Sequence, residues 1–401
     1  MKFVIFLGDG MSDRPLEALN GRTPLMAAHT PNLDRMVREG VGGWSLNTPD
    51  GYYPGSDIAN LGVLGYDVTQ SYTGRSPLEA AAMGVALGPK DVAFRCNMVT
   101  LSENFTIMDD FSADQISTRE SAEIVATLNE KLGSEQFQFY SGVSYRNLLV
   151  WRGGSDQMIT KPPHDISDRP IAGSLPHGAE STPIEALMRT SWEFLSDHPV
   201  NRQRVADGKK PANSIWLWGQ GKKPELTAFR DRFGKSGGII SAVDLMRGIA
   251  AHIGFDVFHV PGATGWIDTD YEGKAKACLE GLEQHDLMFV HVESPDEAGH
   301  AGRLDYKMQA ITDFDTRLVG PVLEALASRG PFRALALPDH PTPLATKTHD
   351  PGPVPFAMMG AGIRPDVNQV YDEGLLKSGS LTFDPGTRLM PYFLGLTETV
   401  V

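Results

Sequence analysis

The sequence predicts an α/β protein: a mostly parallel sheet flanked by helices, with a smaller α+β domain set into it. Three observations carry that expectation. Apolar runs at 3–7, 288–292 and 333–337 read as strands buried on both faces, the pattern of a parallel sheet. Helical patterns closed by glycine lie between such runs, and strand alternating with helix is the signature of βαβ units. From about residue 90 the texture changes to several strands around one helix, which marks a separate layer. The expected organisation is therefore a core in two parts, 1–88 and 187–401, with an α+β substrate or lid domain at 89–186 between them.

Length and charge agree with this frame. A chain of 401 residues exceeds what one core usually organises. The net charge of −14, from 36 Lys+Arg against 50 Asp+Glu, leaves no basic footprint for nucleic acid or anionic membrane. The two cysteines, Cys96 and Cys278, do not make a disulfide framework. The run Met1–Leu7 lacks the cleavage region of a signal peptide, and no stretch of about 18 apolar residues exists, so a soluble, cytoplasmic protein is expected.

In order along the chain, the strand at 3–7 ends in Gly8-Asp9-Gly10, where Asp9 is either a turn residue or a ligand at the carboxyl edge of the sheet. Thr30-Pro31 opens a helix that Gly40 closes. A Gly/Pro-rich loop then opens onto a helix whose first residue is Ser56. That hydroxyl is either a plain cap or a nucleophile whose phosphorylated form the helix N-terminus would stabilise. Strands are expected at 94–101, 137–140 and 145–151, with a helix near 119–132. Among the arginines of this segment, one or two can clamp a phosphate or carboxylate bidentately. A helix follows at 183–198, then a short strand at 214–218. Next come a Gly-rich turn after Lys235 with a helix and a Gly stop, and a strand at 257–260. Lys274 near the start of the helix 269–282 serves a phosphate or is simply solvated. In the long amphipathic helix at 306–328, Asp313 and Asp315 read as exposed.

The strand 288–292 ends in Ser294-Pro295, and Asp296 and His300 follow four apart, a spacing that lets both reach one ion. The strand 333–337 delivers Asp339 and His340 in the same way, and His349 precedes a stiff, proline-dense run. Each residue has a bland reading alone. The carboxyl ends of parallel strands share one edge, however, so these side chains can meet. Asp and His without Cys suit Mn²⁺, Zn²⁺ or Mg²⁺. Seven ligands exceed the needs of one ion, and two ions about 4 Å apart suit a transferring phosphoryl group.

With these motifs on the page, the chain resembles the alkaline phosphatase superfamily, and within it the cofactor-independent phosphoglycerate mutases of the archaeal type. The resemblance rests on Gly8–Arg14, Gly55–Gly62, Arg95–Thr100, Tyr145-Arg146, Pro163–Asp165, Pro295–His300, Asp339–Pro343 and His349 with Pro353–Phe356. It implies an alkaline-phosphatase-like core with Ser56 as nucleophile. One ion would be held by Asp9, Ser56, Asp339 and His340, and the other by Asp296, His300 and His349, with Mn²⁺ the first expectation. Arg146, Lys274, His164 and Arg95 would face a small phosphorylated substrate. The implied reaction interconverts 3-phosphoglycerate and 2-phosphoglycerate through a phosphoserine, independently of 2,3-bisphosphoglycerate. The chain departs from the family pattern after His349, where Asp350-Pro351-Gly352 stands in place of a serine and a short run. A branch of the family has been proposed to act as a homoserine kinase, so a kinase-like phosphotransferase and a metal-dependent phosphatase stay open as alternatives. A binding protein without turnover would have no use for Ser56 beside two ion sites.

Overall fold

The computed structural model describes residues 1–102 and 104–397. It divides into two units: Met1–Tyr72 together with the chain from Glu225 onward, and Thr73–Pro224.

The first unit is built on an eight-stranded sheet. Its order is Asp256–Val257, Gly237–Ile240, Leu287–Val292, Lys2–Gly8, Phe332–Leu337, Val354–Gly360, Val41–Ser45 and Leu381–Phe383. The first five strands run parallel, and Leu287–Val292, Lys2–Gly8 and Phe332–Leu337 among them are the largely apolar runs marked in the sequence. Val354–Gly360 is antiparallel to both neighbours. The stretch between Leu337 and Val354 contains no helix to carry the chain back across the sheet, so it re-enters from the edge it has just left. The proline-dense run after His349 thus ends in an internal strand. Helices Pro31–Arg38, Tyr271–Gln284, Leu304–Asp313 and Gly320–Ala327 contribute residues to the core packed on this sheet.

Three local expectations are corrected here. The glycines after Lys235 form the strand Gly237–Ile240, because a Cβ at Gly237 would lie 2.2 Å from the Phe255 ring and one at Gly238 2.6 Å from Phe258. Close packing, and no turn, calls for glycine there. The long helix is interrupted by a π-helical segment, Phe314–Val319, which turns Asp315 inward until it is fully buried. Its carboxylate accepts hydrogen bonds from the backbone N–H groups of Asn32 (3.2 Å) and Leu33 (2.7 Å). Asp315 therefore caps Pro31–Arg38, and the Thr30 side chain forms no cap bond.

The second unit carries a five-stranded antiparallel sheet. Val92–Leu101 is flanked by Arg146–Trp151 on one side and by Ser214–Lys222 on the other, with Met108–Asp110 at its end and Phe137–Val143 outermost. Helices Thr118–Leu132 and Thr182–Leu195 bury Ile124, Leu128, Ile184 and Met188 in its core. The strand expected at 214–218 belongs to this sheet and not to the parallel one. A short apolar run does not announce which sheet it joins. Trp216 and Leu217 are buried among Phe94, Cys96 and Met98, which draws the boundaries from 89–186 out to 73–224.

Candidate metal centre

The carboxyl ends of Leu287–Val292, Lys2–Gly8 and Phe332–Leu337 stand side by side, and the polar residues that follow them converge. Asp9, Asp339 and His340 form one group and Asp296, His300 and His349 another; within each, the potential ligand atoms lie within 4.8 Å of one another.

In the first group Gly10, held at a φ of +58°, turns its N–H onto Asp339 Oδ1 at 3.1 Å. Asn60 donates to Asp339 Oδ2 at 2.9 Å. Asn60 lies on the helix Ser56–Val63, whose first residue is half-buried. Ser56 Oγ sits 3.2 Å from His340 Nε2, which is also 3.6 Å from Asp9 Oδ1 and 3.4 Å from Asp339 Oδ2. The backbone N–H groups of Ser56, Asp57 and Ile58 precede the first helical hydrogen bond, from Ala59 to Gly55, and remain available to an anion.

In the second group Asp296 and His300 lie one turn apart on the helix Ser294–Ala301. His300 Nε2 is 3.2 Å from Asp296 Oδ2 and 3.0 Å from His349 Nε2, and His349 Nε2 is 3.5 Å from Asp296 Oδ1. His300 Nδ1 donates to the Lys347 carbonyl at 3.0 Å, the outward bond that aims the opposite ring nitrogen at an ion. The rings of His340 and His349 are 4.0 Å apart, so the two groups adjoin.

The electrostatics fit cations. Burial, with Asp339, Asp296 and Glu293 close by, raises the Asp9 carboxyl well above the usual carboxylate range. Its Oδ1 is buried with no hydrogen-bond partner. Burial works against ionisation of Asp296 too, but the bonds from His300 and His349 hold it well below the usual range. Asp296 in turn pushes His300 up to about 9. Crowded carboxylates, an unpartnered oxygen and imidazoles that converge on one point make a donor set for hard or borderline divalent metals.

Two participants were not singled out from the sequence. His291, fully buried in an otherwise apolar strand, points Nε2 at Asp9 Oδ2 (2.8 Å) while Nδ1 meets Ser241 Oγ (3.1 Å). Its two nitrogens are thus engaged, which makes it a support for Asp9 although it lies within ligand distance of Asp9 and Glu293. A histidine inside a buried apolar run was the available signal. Thr342 is the other, with its hydroxyl on both Asp296 and His340.

The expected substrate-side residues divide. Lys274 is neither solvated nor displayed: it is fully buried, donates to the His291 carbonyl at 2.8 Å, and burial lowers its pKa to about 8. In the second unit the Arg95 guanidinium lies 4.4 Å from the centre of the Trp218 ring, and the His164 ring 5.5 Å from it. Phe111 links His164 to Tyr145, and the exposed Arg146 lies over the Tyr145 ring. Arg95 is buried beside Glu79, and burial lowers its pKa to about 10.

The fold and this edge define a mixed α/β protein with an enzyme-like centre of carboxylates, imidazoles and one helix-borne serine. The model of the 2,3-bisphosphoglycerate-independent phosphoglycerate mutase family matches residues 37–201. A protein of Geobacter sulfurreducens named as a probable mutase of this kind is 50% identical over 397 residues, covering 98% of this chain and 100% of that one. The Methanosarcina acetivorans mutase is 49% identical over 386 residues, 95% of this chain and 96% of its own. Among solved structures, a Pyrococcus horikoshii protein matches with a TM-score of 0.83 at 27% identity, over 100% of this chain and 99% of that one. The cofactor-independent phosphoglycerate mutase of Thermoplasma acidophilum matches with a TM-score of 0.68 at 26% identity, over 99% and 100%. The chain belongs to the family of 2,3-bisphosphoglycerate-independent phosphoglycerate mutases.

Proposed function

We propose that this protein interconverts 3-phosphoglycerate and 2-phosphoglycerate through a phosphoserine on Ser56, with no need for 2,3-bisphosphoglycerate. The observation that carries this reading is Ser56 Oγ at a helix start, 3.2 Å from His340 Nε2 beside the buried carboxylates. The names of its relatives support the substrate. Asp9, Ser56, Asp339 and His340 would hold one divalent ion and Asp296, His300 and His349 the other, with Mn²⁺ ahead of Zn²⁺ or Mg²⁺. Bound there, the ions would acidify the serine hydroxyl and offset charge on the phosphoryl oxygens.

The chain's own residues do the rest. Ser56 Oγ attacks phosphorus in line as the bond to the glycerate oxygen breaks, and the free N–H groups of the helix receive the phosphoserine oxygens. The glycerate stays bound, presents its other hydroxyl and takes the phosphoryl group back. Water that reached the phosphoserine would release phosphate instead, so exclusion of water separates a mutase from a phosphatase. Arg95 and Arg146 are the cations proposed for substrate carboxylate and phosphate, and His164, whose pKa burial lowers, is proposed there as a hydrogen-bonding imidazole. Lys274 acts as a buried positive charge behind the centre.

The test is 3-phosphoglycerate with Mn²⁺ and no bisphosphoglycerate, run beside ATP with homoserine. Formation of 2-phosphoglycerate is expected, with a loss of more than about 10³-fold in Ser56→Ala. ADP formation without 2-phosphoglycerate would overturn the mutase reading. A Ser56→Ala variant that turned over at the normal rate would overturn the phosphoserine.

A further inference from the structure

We propose that Thr342 is a positioning residue that couples the two ion sites, its one hydroxyl orienting a ligand of each. The inference rests on the two-ion reading above and adds a member that contacts neither substrate nor ion.

Thr342 is fully buried, and its Oγ lies 2.5 Å from Asp296 Oδ1 and 3.2 Å from His340 Nδ1. A hydroxyl has one proton to give. The Asp296 carboxylate can only accept, so the proton goes to Oδ1, and the lone pairs of Oγ are left for His340. His340 must then carry its N–H on Nδ1, which leaves the lone pair on Nε2. That nitrogen faces Ser56 Oγ at 3.2 Å, Asp339 Oδ2 at 3.4 Å and Asp9 Oδ1 at 3.6 Å. The same hydroxyl thus turns Asp296 toward His300 and His349 and selects the His340 tautomer that can serve the other group.

The surroundings hold Thr342 in this place. Its N–H donates to the Ser12 carbonyl at 3.2 Å, and its own carbonyl accepts from Lys307 Nζ at 2.7 Å. Two glycines make the room. A Cβ at Gly10 would stand 2.5 Å from both Thr342 Oγ and Asp296 Oδ1, and one at Gly299 2.8 Å from the Thr342 methyl. Fixing Asp296 in an ion site would also fix the Thr342 hydroxyl, and with it the orientation of His340 toward the other site. The two sites therefore bind with positive coupling.

The experiment titrates the full chain, stripped of metal, with Mn²⁺ alone, using calorimetry and the spin-resonance signal of free Mn²⁺. Thr342→Val keeps the shape and removes the hydroxyl; Thr342→Ser keeps the hydroxyl. The wild type is expected to bind two ions cooperatively, and Thr342→Val to bind both about 10–100-fold more weakly without cooperativity. Thr342→Ser is expected to stay within about 3-fold of wild type, a margin set well inside that loss. Thermal melts of the metal-free proteins check folding, and Thr342→Ala takes the place of a valine variant that does not fold. Wild-type affinity and coupling in the hydroxyl-free variant would overturn the inference, as would equal weakening in the valine and serine variants. A wild type that binds fewer than two ions would instead overturn the two-ion reading on which it rests.

Discussion

Replacement of Lys307 by methionine should cost this protein as much stability as a large core truncation. The ammonium is fully buried and its donors go to the Ser12 carbonyl (3.3 Å), Asp13 Oδ2 (2.9 Å) and the Thr342 carbonyl (2.7 Å). Methionine fills the space and removes all three bonds, which leaves the Asp13 carboxylate buried with only the N–H groups of Arg14 and Leu344. Breaking a buried pair from one side costs roughly 3–5 kcal/mol, because the surviving charge stays out of water. For a unit of this size that is a fall of about 10–15 °C in melting temperature. Calorimetry on the metal-free protein reads it directly. Adding Asp13→Asn removes the stranded charge, keeps an acceptor for Arg14 N–H, and should recover about half the loss. A Lys307→Met protein within about 1 kcal/mol of wild type, or a double variant no better than the single, would refute an uncompensated carboxylate as the cause.

Two further outcomes are expected. Asp315→Ala strips the cap from Pro31–Arg38, should cost about 2 kcal/mol and speed amide exchange in that helix; unchanged exchange there would mean the helix does not depend on this carboxylate. Glu373 is raised from 4.5 to about 7, chiefly by burial, so its neutral form fits the fold. The stability this provides is complete below the unfolded value near 4.5 and lost as pH rises through about 7. Glu373→Gln, neutral throughout, should therefore gain stability on wild type between pH 5 and 8, by up to about 3 kcal/mol, followed as the difference in melting temperature across that range. A pH-independent difference would show that Glu373 ionises without cost.

The sheet and the meeting of Asp9, Asp296, His300, Asp339 and His340 were legible because these residues follow the ends of buried apolar runs, whereas the place of His349 and the division into two groups came from the family resemblance. Local sequence then states both the strand and the edge. What was not legible depends on partners far along the chain. Asp315 reads as exposed in a regular helix, and only the π-helical segment turns it toward Asn32. Gly237 and Gly238 look like a turn until Phe255 and Phe258 are seen against them. The strand at 214–222 has the apolar texture of its parallel counterparts, and its place beside Val92–Leu101 is decided by packing. His291 and Thr342 passed unnoticed because a lone histidine or threonine carries no periodic signal.

The wide sequence separation at the shared edge also bears on how the protein comes to exist on the ribosome. The central strand, Lys2–Gly8, is made first, yet its two neighbours are Leu287–Val292 and Phe332–Leu337, and Gly10 meets Asp339 across 329 positions. The unit Thr73–Pro224 is contiguous, and its core is complete once its last strand has emerged. Synthesis therefore delivers a unit able to close on itself while an apolar N-terminal strand waits, unpaired, for most of the chain. That strand is where a stalled or truncated chain would aggregate, and the edge that gathers the carboxylates and imidazoles is among the last places to form.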